Sequence, residues 1–99
     1  MYNQVKWFGK KPTVATAETP AAKVAIGATS TQVLAANDDR TSYCIRNTGT
    51  VDVYYRNGDN ATTDDMLLEP GEVAYDDDYT GKVTAIRGAS AGELRVIED

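Results

Sequence analysis

The chain has 99 residues, a net charge of −5, one cysteine and no histidine. That length allows one domain with a modest core. The composition excludes an internal disulfide and removes the commonest general base and metal ligand together. The charge is unevenly placed: residues 1–23 hold Lys6, Lys10, Lys11 and Lys23 against Glu18, a local +3, whereas residues 24–99 hold six basic and fourteen acidic side chains, a local −8. An acidic body repels nucleic acid. No secretory pattern follows Met1 and no apolar run is long enough to span a bilayer as a helix, so neither nucleic acid nor membrane is expected as a partner.

Residues 1–23 read as an extended N-terminal arm. Val5, Trp7 and Phe8 form an apolar cluster beside Lys6, Lys10 and Lys11, and the stretch from Pro12 to Pro20 is rich in small residues with little to bury. Trp7 and Phe8 are the chain's only tryptophan and phenylalanine. They need cover, either by folding back onto the domain or by inserting into a neighbour. The partner-binding residues expected in the arm are therefore Val5, Lys6, Trp7, Phe8, Lys10 and Lys11.

Residues 24–99 read as short strands and turns. Val24 and Ile26 flank Ala25, and Thr29–Leu34 offers a second strand before the turn-rich Ala35–Asp39. Tyr43–Tyr55 carries two strands with period-two alternation: Tyr43 and Ile45 share one face, as do Val51, Val53 and Tyr55. A three-residue loop Asn47-Thr48-Gly49, with Gly49 left-handed, would join them as a hairpin that pairs Ile45 with Val51 and Tyr43 with Val53. Asn57–Asn60 is a turn, Met66–Leu68 a short strand, and Glu69-Pro70-Gly71-Glu72 another turn. Val73–Tyr75, Val83–Arg87 and Leu94–Ile97 complete the set. The predicted core is Val24, Ile26, Val33 or Leu34, Tyr43, Ile45, Val51, Val53, Leu67, Val73, Val83, Ile86, Leu94 and Val96. Seven or eight strands at this spacing, without helical periodicity, predict an all-β fold: an antiparallel β-sandwich (jelly-roll or Ig-like) or a small β-barrel over residues 24–99.

Little of the sequence looks catalytic. Ser30, Ser42 and Ser90 have no histidine to activate them. The run Asp76-Asp77-Asp78 lacks the spacing and closing glutamate of a calcium loop and reads as a solvated turn. Leu68-Glu-Pro-Gly-Glu72 resembles a turn of cupin barrels, but the metal-binding histidines that follow it there are replaced by Val73, Ala74 and Tyr75. No enzyme activity, cofactor or metal is expected. Tyr54, Tyr75 and Tyr79 are candidates for an interface or an aromatic sugar platform, against the plainer reading of strand-face packing.

Ile45-Arg-Asn-Thr-Gly49, Val53-Tyr54, Leu68-Glu-Pro-Gly-Glu72, Gly81-Lys-Val-Thr-Ala-Ile86 and Leu94-Arg-Val-Ile-Glu98 follow one another in an order that resembles small all-β structural proteins of tailed bacteriophage virions. The resemblance spans Arg40–Glu98 and leaves the arm outside. It implies a non-enzymatic decoration or cement protein on the outer head shell, bound to the major capsid protein and assembled in the host cytoplasm. A homo-oligomer, dimer or trimer, is expected because a body of this size has a thin core. The alternative is a tail-associated or receptor- or carbohydrate-binding module.

Overall fold

The structure, a computed structural model, describes residues 21–99. Eight strands follow in order: β1 Ala22–Ile26, β2 Thr31–Leu34, β3 Tyr43–Asn47, β4 Val53–Asn57, β5 Met66–Leu68, β6 Val73–Asp76, β7 Val83–Arg87 and β8 Gly92–Glu98. Among the described residues there is no helix. The strands form two four-stranded antiparallel sheets, ordered β1-β8-β3-β6 and β2-β7-β4-β5. The predicted boundary between arm and body falls inside β1, where Lys23 already pairs with Arg95. Residues 1–20 of the predicted arm lie outside the described residues.

Alternation decides what each strand buries. On β3, Tyr43, Ile45 and Asn47 are buried while Arg46 is exposed; on β8, Leu94 and Val96 are buried while Arg95 and Ile97 are exposed. Val53 and Tyr55 of β4, Val83 and Ala85 of β7 and Leu68 of β5 meet them from the other sheet in one core, joined by Ile26 and Val33. Of the remaining predicted core, Val24, Val51 and Ile86 are only partly buried. Leu67 and Val73 are corrections, 46% and 56% exposed. A three-residue strand reading Met-Leu-Leu has no alternation to set its phase, and Leu68 is the residue that turns inward.

The predicted hairpin is also corrected. β3 and β4 lie in different sheets and do not pair: Ile45 is registered with Ala74 and Val96, and Val53 with Leu68 and Arg87. Every consecutive pair of strands changes sheet except β4–β5. Asn47 explains the crossing from β3 to β4. Its fully buried amide donates to Val51 O and Leu68 O, both at 2.8 Å, and its Oδ1 accepts from Gly49 N at 3.0 Å. These three bonds tie the crossover to Asn47 and to β5, so it is held without a hairpin. Gly49 does not have positive φ. That conformation falls instead on Gly58, Asn60 and Gly71 in the two predicted turns.

Candidate functional site

The two outer sheet faces differ. On the sheet β2-β7-β4-β5 the segment 58–65 between β4 and β5 folds over part of the outer face. Thr84, although it points outward between the inward-facing Val83 and Ala85, is 3% exposed, and its hydroxyl donates to Gly58 O at 2.7 Å. Arg56 on the same face donates through Nε to Asp65 Oδ1 at 3.0 Å, and Ala61 N donates to Ser30 Oγ at 2.9 Å. The backbone amide of Thr62 and the guanidinium of Arg56 hold the Asp65 carboxyl below its ordinary pKa. What stays open on this face is a row across the strands, Leu67–Tyr54–Ile86. Beside it lies a shallow depression of about 420 Å³, lined among others by Thr50, Asp52, Tyr54, Thr63 and Gly88.

The outer face of β1-β8-β3-β6 carries a different set. Register aligns Lys23, Arg95, Arg46 and Val73 in one row across all four strands. The next row aligns Ile97, Cys44 and Tyr75, and on the other side Ala25 stands opposite Glu93. Val73, Tyr75 and Ile97 are exposed large apolar residues. Lys23 Nζ pairs with Glu93 Oε2 at 3.0 Å, and Thr48 Oγ1 donates to the same carboxyl, so Glu93 sits below its ordinary pKa. Burial and then the Asp99 charge push the Cys44 thiol up, so it is a poor nucleophile. Arg46 and Arg95 are directly opposite one another, and neither forms an ion pair with a described residue. Like charges facing each other across strands oppose sheet formation.

The buried polar groups are structural. Arg40 is 4% exposed; its Nη1 donates to Tyr79 O and Gly81 O, its Nη2 to Ala35 O and Glu98 Oε1, and its guanidinium lies 5.6 Å from the Tyr43 ring centroid. It ties the segments after β2 and β6 to β8. Sequence reasoning passed over Arg40 because nothing in its neighbours marks a lone arginine before a strand as buried. Asp76 of the acidic run accepts backbone bonds from Asp78 N and Tyr79 N, both 2.8 Å, which hold its carboxyl below the usual range. Asp77 and Asp78 are exposed. Among the described residues no three His, Cys, Asp or Glu side chains are grouped to hold a metal ion.

The predicted tyrosines do not come together. Tyr54 is on the outer face of one sheet and Tyr75 on the outer face of the other. Tyr79 packs against the core, its hydroxyl donating to Lys82 O at 2.9 Å. A three-tyrosine platform is therefore corrected to two separate surface tyrosines and one that braces a loop. The expected arm residues Val5, Lys6, Trp7, Phe8, Lys10 and Lys11 lie outside the described residues. No protein-family model, curated protein or solved structure matches the chain. The arginine row was missed in the sequence because Lys23, Arg46 and Arg95 are far apart in the chain; only the register assembles them.

Proposed function

We propose that this chain is a non-enzymatic structural protein of a virion, a decoration or cement protein bound to the major capsid protein on the outer head shell, and that its two sheets form a jelly-roll sandwich. The strand orders β1-β8-β3-β6 and β2-β7-β4-β5, with a core shared by both sheets, support the sandwich reading. The observation that carries the function is the outer face of β1-β8-β3-β6. It combines exposed apolar residues with two arginines that form no ion pair with a described residue, next to the edge strand where the arm joins the body. A module that must hold to a preformed surface in many copies needs such a face, and an arm adds contact without enlarging the core.

The test is co-sedimentation of the purified chain with shells assembled from the major capsid protein of the phage that carries it, compared with a chain lacking residues 1–20. The full chain is expected to decorate the shells in many copies, and the shortened one to fold but bind weakly. Absence of the full chain from the pelleted shells overturns the assignment. The depression beside Tyr54, with Asp52 and two threonines, favours a second reading as a carbohydrate-binding module. Glycan-array binding that Tyr54→Ala abolishes, without shell binding, would replace the first reading with the second.

A further inference from the structure

We infer that the outer face of β1-β8-β3-β6 docks a carboxylate-bearing, partly apolar protein surface, gripped by Arg46 and Arg95 with Val73 and Ile97 supplying the apolar contact. The inference rests on the docking role proposed above and names the chemistry of the partner.

The distribution of basic residues supplies the argument. Residues 24–99 contain six, against fourteen acidic side chains. Arg40, Arg56 and Lys82 are spent on Glu98, Asp65 and Asp59. Arg87 donates to the neighbouring Ala89 O. Arg46 and Arg95 remain, placed directly opposite one another on inner strands β3 and β8. Among the described residues Arg46, Arg87 and Arg95 form no ion pair, and of these Arg46 and Arg95 are the two that stand side by side, with Glu93 near enough to Arg95 to feel its charge. Lys23 extends their row, its charge offset by Glu93. The face is thus a small cationic island with apolar flanks on an acidic body.

Charge decides among occupants. A second copy docking by two-fold symmetry would set Arg46 and Arg95 against their own counterparts, which is repulsive. The chain's own arm would bring Lys6, Lys10 and Lys11 to the same island. Nucleic acid and anionic membrane are extended polyanions, and the surrounding carboxylates oppose their approach. A protein surface can offer carboxylates locally, and two guanidiniums side by side match them with paired N–H donors. Val73 and Ile97 then lose water against apolar neighbours of those carboxylates.

The test titrates the ¹⁵N-labelled full chain with a peptide probe, acetyl-Glu-Leu-Glu-Val-Glu-Leu-Glu-amide. The controls are the same peptide with lysine in place of glutamate, and a short thymidine oligonucleotide. The acidic peptide is expected to shift amides at Val73, Arg46, Arg95 and Ile97. Its affinity should fall about tenfold or more in Arg46→Glu/Arg95→Glu and little in the charge-matched Lys82→Glu/Arg87→Glu. Unchanged dispersion of the amide spectrum verifies that each variant is folded. Shifts confined to other residues, equal binding by the Arg46/Arg95 variant, or tighter binding of the oligonucleotide to this face would overturn the inference. Shell co-sedimentation separates the two proposals. Wild type and the Arg46/Arg95 variant pelleting equally with shells overturns this inference alone. Peptide binding at the face by a chain that never pellets with shells supports it and overturns the virion assignment.

Discussion

The phenol of Tyr43 on β3 donates a 2.6 Å hydrogen bond to Oδ1 of Asn57 on β4, linking the two sheets. Asn57 in turn donates to Asp76 Oδ2 at 3.2 Å. Burial, and then the Asp76 charge, push the Tyr43 phenol well above the ordinary tyrosine range. Tyr43→Phe is expected to cost about 0.5–1.5 kcal/mol near neutral pH, the net worth of one hydrogen bond. Because the folded pKa exceeds the unfolded one, stability is full below about pH 10 and declines as pH rises past it. Urea unfolding across that range should show a shallower alkaline decline for Tyr43→Phe; parallel declines would count against it.

Arg40 should be the most sensitive polar position. Its side chain is fully enclosed while Glu98 keeps 26% exposure. Arg40→Met is expected to cost about 3 kcal/mol, the lower end for breaking a buried pair because the remaining carboxylate reaches water. Arg40→Lys should recover only part, since one ammonium cannot replace a planar fork that reaches carbonyls on two segments and a carboxylate on β8. Guanidinium unfolding midpoints of the three proteins measure the order.

Asp76 gives a prediction in acid. Its carboxyl is held below the ordinary value chiefly by the backbone amides of Tyr79 and Asp78. A depressed folded pKa adds stability above the unfolded value of about 4, and that stability is lost as pH falls through the folded pKa. Asp76→Ala should therefore lose stability near neutral pH and show a flatter acid limb in thermal melts. An acid limb identical to that of the unaltered protein would mean that other carboxylates govern it.

Two glycines should fail for different reasons. Gly71 has φ +89° in the turn before β6, with Glu72 N bonded to Glu69 O at 2.9 Å. Gly71→Ala should cost about 1–2 kcal/mol through the left-handed backbone. Gly49 carries no such strain, but a Cβ there would lie 3.1 Å from Glu93 N. Gly49→Ala should disturb the neighbouring Thr48 N to Glu93 O bond. It is expected to appear as faster amide exchange at Thr48, whereas Gly71→Ala should lower the melting temperature without that local signature.

Strands were legible where side chains alternate over several residues, as in Tyr43–Asn47 and Val53–Asn57, because burial on one face imposes period two. Partners were not legible. Ile45 and Val51, and Tyr43 and Val53, read as hairpin pairs because a glycine follows a short polar stretch, yet β3 and β4 lie in different sheets, and the Asn47 amide bonds Val51 O and Leu68 O where the chain crosses between them. Val73 read as core because it opens an apolar strand. Its partner Arg46 fixes it on the outer face, a fact carried by residues far away in the chain. The same is true of the arginine row, which exists only as a product of pairing.

β8 is the last of the eight strands to be synthesised, yet it is an inner strand, bonded to β1 on one side and β3 on the other. Until it emerges from the ribosome, its sheet is a gap between two unpaired edges, with Ile26, Tyr43 and Ile45 uncovered. The nascent chain therefore carries aggregation-prone edges from the emergence of β1 and β3 until β8 follows. A stop codon ahead of Gly92 would leave a chain with no way to close that gap, so truncated products should be insoluble or degraded rather than partly active.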